Sequence, residues 1–319
     1  MAARAKRKSG EGTLDTFIRK MATVLVDARA SGADVSYKAC RMPPTPESPS
    51  WDQVSLVDAV RAESVSPEVA ALLVARDARP RLDVAAQLAV IDELAAPLDG
   101  LGRSTKDPLD QAAALAAHLH GTLGFHGNES AYYDARNSYL DEVLRRRTGI
   151  PITLCVVYAA VGRRAGVAVD GVGFPGHFLA RVGGPDGVLV DPFRQGQSLE
   201  KPALRQLARR VLGNRPLRPE HTASISLRPL VVRMLLNLKR VHENHSDHAR
   251  AMVVADRLVD LTDSLVFRRD RGIHALALGA HAQAASDLEA YLADAPADAS
   301  DRGMVQAALK RASAAISWS

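Results

Sequence analysis

Cysteine is nearly absent from this chain of 319 residues, which contains only Cys40 and Cys155. Two thiols exclude a disulfide framework and any thiolate-rich zinc site, and in a reducing compartment even a Cys40–Cys155 bridge gives way to two thiols. Aromatic residues make up 4% of the chain, which leaves few platforms for base stacking. With no helix-turn-helix or RNA-recognition signature either, no nucleic-acid partner is expected. No uninterrupted apolar stretch approaches the ~18 residues a membrane helix needs. The start, MAARAKRKSGEG, is polar and basic and lacks a secretory h-region. These absences predict a cytoplasmic protein with no membrane partner. The net charge of +5 is spread through helices in which arginine alternates with acids, and the one basic run, Ala3 to Lys8, reads as a solvated tail.

What is present is ordinary for a globular chain of about two domains: 47% hydrophobic and 24% charged residues. Most functional information sits in residues 149–191, GIPITLCVVYAAVGRRAGVAVDGVGFPGHFLARVGGPDGVLVD. Leu154, Val157, Tyr158 and Val161 recur at helical spacing, and Gly166 follows as a stop. Pro151 suits the first helical position and Thr153 is an alternative cap, so Cys155 is expected in the first turn or so. There the macrodipole and unpaired N–H groups favour a thiolate and an oxyanion. The plain reading is a small buried hydrophobe on an apolar helix.

GHFLARV and GVLVD read as two strands joined by a turn over 183–187. If Val182 pairs with Val188, Asp191 stands opposite Leu179 and diagonal to His177, within reach of it; a one-residue bulge would separate them. Individually, His177 is explained as a surface histidine and Asp191 as a turn initiator before Pro192. Together they match what a thiol nucleophile requires, a base and an acid that orients it.

Upstream, Asn137 or Ser138 is expected to cap a helix through Arg147, with Asp141 and Glu142 near its start and arginines near its end. Capping and ion pairing account for these residues. The competing roles are a donor near the thiol for Asn137 and a substrate carboxylate contact for Arg136.

The stretches AYYDARNSYLDEVLRRRTGIPITL, GVGFPGHFLARV and LVDPF resemble the SirB-like family of transglutaminase-fold proteins, over roughly residues 51–195. The resemblance implies an α+β transglutaminase-like (papain-like) core in which Cys155 takes the nucleophile position, His177 the base and Asp191 the orienting acid. It implies no metal and no organic cofactor. Many members of the family lack the cysteine, so it equally admits a protein that binds without turnover.

The chain organises into a basic, proline-rich extension over 1–50, containing an amphipathic LDTFIRKM stretch, and a transglutaminase-like domain over 51–225. That domain has a helical part (51–121, segments at 54–62, 66–78, 81–95 and 108–121) and a catalytic-type core (122–200), followed by a helix over 201–212. Residues 226–319 are predicted to be all-α and tetratricopeptide-like. Gly272, Gly279, Ala284, Leu288, Tyr291 and Pro296 fall near the positions of a 34-residue repeat, and Ser246, Ala251, Ala255 and Leu258 match at an offset near 33. A terminal helix is expected at 301–316. So short an array needs a neighbour to cover its open face. Such repeats either bind a protein or peptide partner or extend the core. His245 and His248, near His242 and His281, are read as part of a polar helix–helix turn, and no metal site is expected.

Two functions follow. One is a cysteine acyl-transferase or hydrolase acting on an amide or ester, with the Cys155 N–H stabilising the oxyanion. It demands the Cys155 sulfur within about 5 Å of a His177 ring nitrogen and open to solvent. The other is a non-catalytic binding or adaptor protein.

Overall fold

The computed structural model describes residues 51–317. The extension 1–50, with its basic run, LDTFIRKM stretch, proline-rich linker and Cys40, lies outside the described residues. The chain opens with helices α1 (Leu56–Arg61), α2 (Pro67–Ala78), α3 (Val84–Ala95) and α4 (Pro108–Ala116). The side chains of Ser55 and Asp107 cap α1 and α4, and a proline stands at the first position of α2 and of α4. A single turn, Leu101–Ser104, lies between α3 and α4. The expected helix to 121 instead ends at Ala116 and passes into a π-helical turn, Ala117–Thr122.

Strand β1 (His126–Gly127) pairs in parallel with β2 (Thr148–Gly149), and α5 (Leu140–Arg146) lies between them in sequence. Next come α6 (Pro151–Arg164), β3 (Val169–Val172), β4 (Leu179–Val182), β5 (Val188–Asp191), β6 (Gln197–Ser198) and α7 (Lys201–Leu212). The four strands β3 to β6 form an antiparallel sheet in sequence order. Five helices follow: α8 (Leu227–Asn244), α9 (His248–Thr262), α10 (Leu265–Ala277), α11 (His281–Asp294) and α12 (Arg302–Ile316).

These elements gather into two compact units, each discontinuous in sequence. One comprises 89–128 and 147–226; the other comprises 51–88, 129–146 and 227–317. The helices α1 and α2 therefore belong with the repeats.

In the first unit the sheet is apolar on both faces, which is why its strands read as continuous rather than alternating. Val169, Ala180, Val182 and Val190 are buried on one side. On the other, Val172, Leu179 and Leu189 pack with Phe174 against Ala208 and Leu212 of α7. Helix α6 lies against β3 and β4. Every residue from Pro151 to Gly162 is buried, so the helix is enclosed all round rather than amphipathic.

In the second unit the repeat offset is visible in space. Ser246 and Gly279, 33 positions apart, both take positive φ, +55° and +76°, at the two turns. Ala251 and Ala284, Ala255 and Leu288, and Leu258 and Tyr291 are equivalent buried pairs at the same offset. Gly272 lets α10 approach α11, because a Cβ there would stand 3.0 Å from Asp287 and Leu288 atoms. The open face of the first hairpin is covered by α1 and α2. Arg257 of α9 donates to Asp77 of α2 at 2.7 Å across this contact.

Candidate functional site

The β-hairpin has the register the spacing demands: Val182 pairs with Val188, Arg181 with Leu189 and Ala180 with Val190, with no bulge. His177 lies just before β4 rather than on it, in a turn opened by Gly176 at φ +65°. Its Nε2 and Asp191 Oδ2 are 2.8 Å apart. The other carboxylate oxygen, Oδ1, accepts the backbone N–H groups of Phe193 and Arg194 at 3.1 and 3.3 Å. Asp191 is thus both the turn initiator and the partner of His177, one oxygen for each role, and it is 1% exposed. Since a carboxylate accepts, Nε2 carries the proton in this pair, and a base role would fall to Nδ1.

Phe193 was not singled out from sequence. Its ring stands edge-on to His177, with centroids 6.3 Å apart and planes at 88°. It also covers Gly127, where a Cβ would lie 2.5 Å from the ring. The available signal was its position two residues after the orienting acid.

Cys155 lies in the same unit, just past the first turn of its helix. Ile150 is the cap and Pro151 the first residue, which makes Cys155 the fifth. Thr153 is not the cap; its hydroxyl accepts from the Ile150 N–H at 3.2 Å. The N–H of a fifth helical residue is engaged with the carbonyl of the first, so the Cys155 N–H belongs to the helical ladder rather than to an oxyanion site. Cys155 is 1% exposed, closed to solvent. Three residues on, Tyr158 donates its hydroxyl to Ala112 O at 2.9 Å, and burial, with Cys155 nearby, pushes its pKa up.

Asn137 and Arg136 belong to the other unit. Asn137 is fully enclosed; its Nδ2 donates to Ala131 O at 2.8 Å and to Tyr132 O at 3.3 Å, and its Oδ1 accepts from Arg146. It closes the 131–137 loop. Arg136 donates through Nε and Nη2 to Asp134, whose carboxyl this hydrogen bonding holds below its ordinary range. It lines a cleft of 740 Å³ together with Tyr132, Tyr133, Tyr139, His242 and Arg250. Arg79 is stacked 4.5 Å over the Tyr139 ring in the same cleft. The Tyr139 hydroxyl meets His242 Nε2 at 3.2 Å, and burial keeps His242 below the usual imidazole range. No periodicity signals this cleft, because its walls come from three separated segments.

At the turn between α8 and α9, His245 Nδ1 bonds Val241 O at 2.7 Å and His248 faces His274 across 3.2 Å. Among the described residues no three His, Cys, Asp or Glu side chains are grouped as a metal site requires. Among the same residues no helix is long and apolar enough to cross a membrane.

With this geometry in hand, residues 56–236 match the family model described as transglutaminase-like superfamily. The chain belongs to the transglutaminase-like superfamily. Residues 238–310 match a tetratricopeptide repeat model. The resemblance to SirB-like proteins and the expected α+β fold with a helical repeat region agree with both matches. A UPF0162 protein of Xylella fastidiosa is 38% identical over 256 residues, covering 76% of this chain and 88% of that protein. A UPF0162 protein of Vibrio cholerae is 29% identical over 199 residues, covering 59% of this chain and 72% of the relative. F-box only protein 21 of Homo sapiens is 45% identical over 76 residues, 24% of this chain and 12% of its own length. No solved structure matches significantly. The superfamily accounts for the helix-then-hairpin frame that carries His177 and Asp191, and the repeats supply a helical surface of the kind used for protein contacts.

Proposed function

We propose that this protein binds a partner protein through its second unit, with the transglutaminase-like fold serving recognition. The observation that carries this reading is the 740 Å³ cleft lined by tyrosines and arginines, part of whose wall is the repeat region itself. Tyrosine and arginine are the residues that concentrate binding energy at protein interfaces. The burial of Cys155 adds to it, since turnover would first require the thiol to be uncovered. The reading assigns the protein to the cytoplasm, with no nucleic acid and no membrane among its partners. It is tested by placing a photo-crosslinking amino acid at Tyr133 in the producing cell and, as a control, at Leu109, which is exposed in the other unit. A discrete adduct from Tyr133 alone is expected; equal labelling from both positions, or none, overturns it.

The His177–Asp191 bond favours a second reading, cysteine-dependent acyl transfer or hydrolysis of an amide or ester. In it the Cys155 proton passes to His177 Nδ1 and the sulfur attacks the carbonyl carbon. The leaving amine or alcohol takes that proton, and water or an amine then resolves the thioester. Substrate access would need an opening step around α6. Iodoacetamide labelling of Cys155 across pH, in a Cys40→Ser background with and without His177→Ala, tests it. An activated thiol labels with an apparent pKa below about 8.5 that rises when the histidine is lost. Labelling only as fast as the protein unfolds refutes it.

A further inference from the structure

Beside the cleft is a second, smaller chamber of 110 Å³, lined by Val74, Leu235, Leu238, Val253 and Val254 and, on its polar side, by the ion-paired Asp77 and Arg257. Ala78, Tyr139, His242 and Arg250 line both spaces, so the open cleft and the chamber adjoin. The two differ in chemistry. The chamber, aliphatic on one side and closed by the Asp77–Arg257 pair on the other, is large enough for an aliphatic side chain and too small for an indole, given that a dry cavity of about 150 Å³ accommodates a benzene ring.

The cleft lining carries three arginines, Arg79, Arg136 and Arg250, against two carboxylates, Asp134 and Asp247, and Arg79 is paired with Asp141 beside the cleft. Arg136 and Arg250 keep 60% and 64% of their side chains exposed, although they contact Asp134 and Asp247 at 2.7 and 2.6 Å. A guanidinium has five N–H donors, so the solvent-facing edges of Arg136 and Arg250 are open to an incoming carboxylate without loss of the existing pairs. At the rim, Arg240 stacks 4.9 Å over the ring of Tyr133. Cations therefore surround an aromatic approach to the chamber.

We propose that the cleft and chamber form one docking site for an acidic peptide segment of a partner protein. A leucine-sized aliphatic side chain would enter the chamber, and flanking carboxylates would lie against Arg136 and Arg250. The proposal rests on the partner-binding reading above and adds the chemistry of the partner. Single apolar anchors seated in a pocket and ringed by polar contacts are how compact protein sites concentrate affinity.

The test is fluorescence polarisation of the full chain with a fluorescein-labelled peptide of about twelve Asp and Glu residues around a central Leu. Two comparison peptides replace the Leu with Ser or the acids with Lys. Micromolar binding to the first is expected, weakened about tenfold or more with either comparison peptide. The same loss is expected from Arg136→Glu with Arg250→Glu, and from Ala78→Trp, which fills the place where the two spaces adjoin. Raising salt from about 50 to about 300 mM weakens binding several-fold. Arg210→Glu, an exposed change on α7, leaves it unaltered. If the charge reversals unfold the second unit by circular dichroism, the double Arg→Gln variant carries the same comparison. Equal binding of all three peptides, or equal loss with Arg210→Glu, overturns the proposal. No peptide binding alongside a Tyr133 adduct overturns the acidic chemistry alone; no binding and no adduct overturns partner binding as well.

Discussion

Replacing Gly102 with alanine adds one methyl group, and the structure specifies what it meets. The N–H of Gly102 donates to Ala165 O at 3.0 Å, tying the Leu101–Ser104 turn to the end of α6. A Cβ on Gly102 would lie 1.9 Å from Gly166 O and 2.4 Å from Gly166 C. Non-bonded carbon contacts settle near about 3.5 Å, so the turn and the helix end must separate by roughly 1.5 Å. Both obstructing atoms are backbone, and no side chain can swing aside. Separation loses the hydrogen bond, about 1 kcal/mol, and disturbs packing by about 1–3 kcal/mol. Alanine's helix preference over glycine returns at most about 1 kcal/mol. The net expectation is destabilisation of the first unit by about 1–4 kcal/mol, a roughly 5- to 1000-fold loss of amide protection in α6. Hydrogen exchange read by mass spectrometry suits this test, because a two-unit chain does not give one unfolding transition and peptide-level exchange reports each unit separately. Gly303→Ala is the counterpart: nothing lies within 4 Å of its Cβ, so protection of α12 should hold or rise. Undiminished α6 protection in Gly102→Ala would refute the close approach.

Further expectations follow from buried and strained positions. Leu288→Ala, at a site with 0% exposure, should cost about 2–5 kcal/mol in the repeats, measured by urea denaturation. Ser246 sits at φ +55°; glycine there relieves about 1–2 kcal/mol of left-handed strain and loses some to chain entropy. Ser246→Gly should therefore stabilise α8 and α9 by about 0.5–1 kcal/mol, and a loss of stability would disprove its equivalence to Gly279. Burial lowers the pKa of His120 and of His242; at His242, Asp247 opposes this while Arg250 and His245 add to it. Folded pKa values below the unfolded value of 6.5 mean the unfolded chain binds protons first. Stability is thus full above pH 6.5 and falls below it, by at most about 1.4 kcal/mol per pH unit for each histidine. His242→Gln should flatten this slope in thermal melts; an unchanged slope would exclude His242 as its source.

Local rules found what local chemistry decides. The α7 boundaries Lys201–Leu212, Pro151 at the head of α6, the hairpin register and the 33-residue offset were all legible. Each depends on residues adjacent in sequence or across one tight turn. With Pro151 first, Cys155 is the fifth residue of α6, at the end of the first turn or so, and of the two candidate starts only Thr153 failed, because Ile150 serves as the N-cap. The grouping of α1, α2 and α5 with the repeats was not legible, since an amphipathic period says that a helix buries a face and not against what. The cleft was hidden for the same reason: Arg79, Tyr139 and Arg250 are remote in sequence and become neighbours only through that packing.

The interleaving of the two units also bears on how the chain is made. By the time residue 226 has emerged, every segment of the first unit is available, and that unit can close. The second cannot: α1, α2 and α5 must wait for α8 to α12. From residue 88 to 316 the delay is roughly 10–45 s at ribosomal speeds of about 5–20 residues per second. Until α8 (Leu227–Asn244) emerges, Leu72 and Leu73, buried at the end, have no native partners from the repeats. A nascent chain of this design is most vulnerable to aggregation before its last quarter is synthesised, and truncations of the repeats should be cleared by proteolysis rather than accumulate as a trimmed core.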